Sequence, residues 1–235
     1  MKKFKFMTLL LCIGIVFSGC NMNNTVKGTG IGAAGGAVLG GIIGKIAGNT
    51  AVGAAIGGVV GGATGALIGK HMDKVKQEAE AVKNAKVETV TDANGLQAVK
   101  VTFDSGILFK TGSSTLSTVA QTSLNQFASD VLLKNANLDV AIQGYTDNQG
   151  WKNSTAEAST QKNLNLSQER ANSVTNYLLG KGVGTSQIKS STGFGEQNPV
   201  ADNSTAAGQK QNRRVEVYLY ASEEMINQAN NGTLQ

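Results

Sequence analysis

Ten glycines at four-residue spacing fall in two runs, Gly32, Gly36, Gly40, Gly44, Gly48 and Gly53, Gly57, Gly61, Gly65, Gly69. No other feature restricts the fold of its segment so tightly. Each glycine in a helix interior costs about 1 kcal/mol relative to Ala, so two matched runs need a compensating gain. A glycine on every fourth residue lays a smooth groove along one helix face, and small-xxx-small grooves let helices pack backbone to backbone in lipid. The halves Ile31–Gly48 and Val52–Gly69 hold 18 residues each. Each would extend about 27 Å as a helix, close to a bilayer core. The spacing predicts a membrane-associated helical hairpin over residues 28–70, turning at Asn49-Thr50-Ala51. Lys27, Lys45, Lys70 and Lys74 stand where they could snorkel to the interfaces. The alternative, a glycine–alanine linker, fits less well, because such linkers carry serine and here Ala, Val, Ile and Leu fill the gaps.

Upstream, Lys2, Lys3 and Lys5 precede an apolar run, Phe6 to Val16, and then small residues before Cys20. That is the layout of a secretory signal, and the run is short for a spanning helix. Phe17-Ser18-Gly19-Cys20 resembles a bacterial lipobox, with Phe17 where an aliphatic residue is usual. The resemblance implies cleavage after residue 19, acylation of Cys20 and, with Asn21 next, an outer-membrane address. Residues 20–27 would be a short linker. Three of the 21 basic residues lie ahead of Cys20, leaving 18 against 16 acidic ones. The mature chain is thus less basic than its pI near 9.2 suggests, and no basic stripe with interleaved aromatics argues for nucleic acid.

Residues 71–85 are charged with few apolar positions and read as a polar, solvated helical spacer. From Lys86 the composition becomes that of an α+β domain, running to residue 221. Val87–Thr91 and Leu96–Phe103 flank the turn signal Asp92-Ala93-Asn94-Gly95 and predict a hairpin. Ser114 can cap a helix carrying Leu116, Val119, Leu124, Phe127, Val131 and Leu132 on one face. Leu138, Val140 and Ile142 alternate as in a half-buried strand ending at Gly144. Leu166–Leu179 forms a second amphipathic helix, and Val215, Val217 and Leu219 a last strand. The order predicts a mixed sheet with helices on one face, followed by a fraying polar tail, 222–235.

Within this domain, Gly144-Tyr145-Thr146-Asp147-Asn148-Gln149-Gly150, then Asn163 to Ala171, then Asn212-Arg213-Arg214-Val215-Glu216 resemble the OmpA-like C-terminal domain. The likeness extends upstream to Phe103–Phe109 and downstream through Gly193-Phe194-Gly195-Glu196 and Asn198 to Asn203. It implies noncovalent binding of peptidoglycan through the diaminopimelate of the stem peptide. That residue carries an ammonium and a carboxylate on one carbon. An aspartate can take the ammonium, and an arginine fork can grip the carboxylate through two parallel hydrogen bonds. By resemblance these groups are Asp147 and Arg170, with Asn148, Thr146 and the backbone around Phe109 and Leu166 as further binding residues.

Twelve residues, Trp151 to Lys162, separate Gly150 from Asn163 where the family usually has fewer, which predicts a longer loop beside the pocket. Trp151 could stack on a sugar or cover the ligand, but packing of the insertion onto the domain is the preferred reading. Arg213 and Arg214 read as structural ties for the loop 198–211. With His71 the only histidine and Cys20 the only cysteine left after cleavage, no triad, zinc set or acid–base pair is apparent, and neither an enzyme nor a metal or cofactor is expected. The implied partners are peptidoglycan, the membrane and, through the glycine faces, a second copy of the chain. The expected role is a tether between envelope and wall, or else an oligomeric assembly protein whose OmpA-like domain only localises it.

Overall fold

The computed structural model of the protein describes residues 62–92 and 95–234. The signal segment, Cys20, the linker 20–27 and the glycine hairpin up to residue 61 lie outside the described residues.

The described chain runs α1 (Ala63–Glu80), β1 (Ala85–Thr91), β2 (Gln97–Asp104), a single turn α2 (Ser105–Leu108), α3 (Thr118–Phe127) continued by a π-helical turn over Ala128–Leu132, β3 (Leu138–Gly144), α4 (Ala156–Gly180), β4 (Ile188–Gly193), α5 (Ala206–Asn212), β5 (Arg214–Ala221) and α6 (Glu223–Asn230). The five strands form one sheet in the order β1-β2-β5-β3-β4. Only the β3–β4 pair is parallel, so the sheet is mixed, as the sequence pattern predicts for this α+β domain. Val99, Val101 and Phe103 of β2, Val140 and Ile142 of β3, and Val215, Val217 and Leu219 of β5 turn to one side. There they meet Leu124, Phe127 and Val131 of the α3 segment and Ala171, Val174 and Leu178 of α4. Phe103 meets Phe127 edge to face at 5.7 Å.

Several expectations are corrected. The stretch 71–85 is not a solvated spacer: Ile68, Met72, Val75 and Ala79 recur at helical spacing and are all fully buried against the domain. Four apolar residues on one stripe suffice to dock a helix whose other faces are charged. The end of the second glycine run, Gly62–Gly69, enters this same helix. Among the described residues no helix is long and apolar enough to cross a membrane. The tail does not fray either, since Ser222 caps α6 and Met225, Ile226 and Ala229 are buried; Thr64 Oγ1 donates to Asn230 Oδ1 at 2.9 Å, joining the two ends.

In the middle of the domain, Ser117 rather than Ser114 caps α3, accepting from Ala120 N–H at 3.0 Å. Val119, expected in the core, is 54 % exposed. The edge strand β4 and the helix α5 were not legible: Ile188-Lys189-Ser190-Ser191-Thr192-Gly193 has one apolar residue, and α5 lies within what reads as a loop.

Two glycines fix where α4 crosses the sheet. Gly144 and Gly193 are register partners on β3 and β4. A Cβ on Gly144 would stand 2.1 Å from the Ser167 carbonyl oxygen, and one on Gly193 would stand 2.2 Å from the Gln168 nitrogen. Only bare backbone admits the helix here. Ser167 completes the junction by accepting the Gly195 N–H at 2.8 Å.

Candidate binding site

Beyond Gly144 the chain leaves β3 under tight control. Tyr145 N–H donates to the Arg214 carbonyl at 2.9 Å and Thr146 N–H to the Gly195 carbonyl at 2.8 Å. This hold brings Asp147 to the rim of a pocket of about 600 Å³. The pocket lies between the α2 turn, the loop 111–112, the loop 146–152 and the inner face of α4. Arg170 is one helical turn beyond the crossing at Ser167, so the glycine contacts that seat α4 also set the height of Arg170 over the pocket.

Asp147 and Arg170, 6 % and 3 % exposed, both line it. Arg170 is oriented from two sides: its Nε–H donates to the Ser113 carbonyl at 3.1 Å, and its guanidinium lies 5.2 Å from the Phe109 ring centre. Burial pulls its pKa down to about 10, Asp147 acts to raise it and Arg213 to lower it. At neutral pH it remains a cation, desolvated and aimed. Asp147 is not ion-paired to it. The Asp147 carboxylate accepts from Arg213 through Oδ2 and from the Gln149 N–H at 3.2 Å through Oδ1. The site therefore holds two guanidinium groups and one carboxylate, and because Arg213 already pairs with that carboxylate, Arg170 is the guanidinium left to meet an anionic group of a ligand.

Thr146, Phe109 and Leu166 also line the pocket. Asn148, expected beside them, is exposed and not part of the lining. Two buried hydroxyls of the lining, Thr146 Oγ1 and Ser105 Oγ, have no hydrogen-bond partner; buried polar atoms are rarely left so.

Arg213 corrects the sequence reading. Arg214 is indeed a structural tie, donating to the carbonyls of Asn212 and Asn198 at 3.2 and 3.1 Å and to Glu216 at 2.8 Å. Its neighbour belongs to the pocket. Alternation explains the split: Arg214 is the first residue of β5, whereas Arg213 stands outside the strand and can swing to Asp147.

The inserted residues form no long loop. Thr155 caps α4 by accepting from Ala158 N–H at 3.2 Å, and the helix begins ten residues before Leu166. The added turns grip the Asp147 loop. Asn163 Nδ2 donates to the Asp147 and Gln149 carbonyls at 3.4 and 3.1 Å, and Ser159 Oγ accepts from Trp151 N–H at 3.0 Å. Asn163 falls within the quoted motif, but nothing in residue type alone marks it as the brace of the acidic loop.

A pocket at the ends of β2 and β3, closed by α4, on a sheet of order β1-β2-β5-β3-β4, belongs to an OmpA-like α+β fold. Residues 108–213 match the model of the OmpA family and residues 1–73 that of the YMGG-like Gly-zipper; the chain contains an OmpA family domain preceded by a YMGG-like Gly-zipper segment. It is 40 % identical over 121 residues to the probable lipoprotein YiaD of Escherichia coli (strain K12), covering 51 % of this chain and 47 % of that one. It is 41 % identical over 80 residues to the peptidoglycan-binding protein ArfA of Mycobacterium tuberculosis, covering 34 % and 22 %. The chain thus spans half or less of the length of these two relatives. In fold it is similar to a MotB-like protein from Desulfovibrio vulgaris, with TM-score 0.55, 24 % identity and coverage of 68 % of this chain and 96 % of the other.

Proposed function

We propose that the pocket takes the zwitterionic end of a diaminopimelate side chain in peptidoglycan, and that the protein tethers the outer membrane to the wall through acyl chains on Cys20. The observation that carries this reading is the pairing of chemistries at one pocket: the Asp147 carboxylate accepts, and the pre-aimed Arg170 fork donates. An ammonium is the natural third donor to Asp147, whose two oxygens hold about four acceptor sites and use two. Arg170, hydrogen-bonded through Nε, keeps its outer nitrogens for a carboxylate. The name of ArfA, a peptidoglycan-binding protein, and of YiaD, a probable lipoprotein, support the same reading. Nothing in it requires turnover.

The test is sedimentation of the full-length chain with insoluble peptidoglycan. The native chain is expected in the pellet, and Asp147→Ala and Arg170→Ala in the supernatant; a native chain that stays in solution overturns the reading. A second function, assembly of oligomers through the glycine faces, is favoured by the match of residues 1–73 to the Gly-zipper model. It predicts oligomers that persist in Asp147→Ala and disappear in Gly40→Leu with Gly61→Leu.

A further inference from the structure

Trp151 is the only tryptophan of the chain, and it forms part of the pocket wall. It is held in place from several directions. Its indole Nε1–H donates to Asn163 Oδ1 at 2.8 Å, and its backbone N–H is bound by Ser159. At the opposite end of the ring, Cη2 lies 3.9 Å from the position a Cβ on Gly112 would take. Lys162 Nζ stands 5.8 Å from the ring centre. The inserted segment therefore spans from the acidic loop to the loop of Gly112 and Ser113, and ends in a fixed aromatic surface.

That surface has a defined chemistry. Because its single donor is consumed by Asn163, the indole can offer a ligand only its faces and edges, through dispersion and C–H contacts. There is room for such a ligand: about 600 Å³ falls within the range of small-molecule sites and exceeds what the end of one amino-acid side chain occupies. An alkyl stem would favour an enclosed apolar channel. Trp151 is instead half-buried, with the exposed Lys152 beside it and Gln149 and Thr111 also on the wall. A flat aromatic face within a polar rim suits a ring that is apolar on its face and hydroxylated at its edge.

We propose that Trp151 forms a saccharide subsite beside the charged pocket, on which the C–H face of a pyranose of the glycan strand stacks. The proposal rests on the reading of Asp147 and Arg170 as the diaminopimelate site, and adds to it the part of the ligand that carries the sugar. The inserted turns of α4 exist, on this view, to present the indole.

Two soluble probes separate the possibilities: a diaminopimelate-containing stem peptide without sugar, and the same peptide on its disaccharide. With the full-length native chain, the disaccharide-peptide is expected to bind about fivefold more tightly than the bare peptide, the gain typical of one aromatic stack, and to shift or quench the emission of Trp151. By calorimetry, Trp151→Ala loses the advantage of the disaccharide and binds the two probes with equal affinity, and Trp151→Phe keeps most of that advantage. Equal affinity of the native chain for the two probes overturns the subsite while leaving the charged pocket intact. Equal weakening of both probes in Trp151→Ala also overturns it, by assigning Trp151 to bracing the loop. Failure of the native chain to bind either probe removes the diaminopimelate reading and the subsite with it.

Discussion

Asp147 is paired with Arg213 across the mouth of the pocket, while Arg170, its expected partner, is held by the Ser113 carbonyl and the Phe109 ring. The two arginines are thus not equivalent. Arg170 is buried and fixed before any ligand arrives, whereas the Arg213 side chain is 37 % exposed and its pair with Asp147 is open to solvent on one side. Pre-aimed donors in a dry site contribute more than exposed ones. Arg213→Ala is therefore expected to weaken retention on peptidoglycan by about tenfold or less, and Arg170→Ala to abolish it. Titrating wall fragments against both variants measures the difference.

The close approach of α4 to the sheet makes Gly144 a sensitive position. A methyl group there meets the Ser167 carbonyl, which is backbone and cannot rotate away. Gly144→Ala is expected to destabilise the domain by about 2–4 kcal/mol and, by lifting α4, to carry Arg170 out of register. Thermal unfolding and sedimentation should both report the change, whereas Gly180→Ala, where a Cβ meets nothing within 4 Å, should leave both untouched.

Arg170 also predicts a conflict between stability and binding. Its folded-state pKa, lowered to about 10 chiefly by burial, lies below the ordinary value, so the fold disfavours the charged form. Arginine keeps its proton across the working pH range, so this desolvation cost is present throughout it. Arg170→Met, which keeps an apolar stem against Phe109, is expected to melt at or above the native temperature at pH 7 while losing all wall binding.

Docking of α1 sets where the independently stable unit begins. Ile68, Met72 and Val75 are each fully buried on the domain, and losing the burial of three such side chains removes about 4–9 kcal/mol. A fragment starting at residue 86 should unfold at lower denaturant than one starting at residue 62. Met72→Asp in the longer fragment should reproduce most of that loss.

The strands with regular alternation were legible in the sequence because one face of each is buried: Leu138, Val140 and Ile142, or Val215, Val217 and Leu219, each mark period two. β4 was not, since an edge strand with one buried neighbour can be built from Lys and Ser. α1 and α6 were obscured for a related reason. Their apolar residues are few and their exposed faces are charged, so composition outweighs periodicity to the eye. In the site, motif resemblance brought Asp147, Arg170, Thr146, Phe109 and Leu166 to one pocket. Asn148 shares the motif but is exposed and outside the lining, and Arg213 was taken for its neighbour's structural role because adjacent arginines look alike in sequence. The inserted residues read as a loop, although Thr155, three residues before the first N–H it caps, was the available signal of a helix start.

The docked α1 also governs how the molecule would respond to being pulled. A load applied at Gly62 enters the sheet through this helix, which is held on the domain by one apolar stripe and a few side-chain hydrogen bonds, among them Thr64–Asn230, Asp73–Gln97 and Glu78–Asn135. Peeled away, its 18 residues would lengthen from about 27 Å as a helix to about 60 Å as an extended chain. The pocket, whose Asp147 and Arg170 stand on the loop after β3 and on α4, need not deform while that happens. The docked helix is thus a length of chain that could lengthen under tension while the pocket keeps its shape.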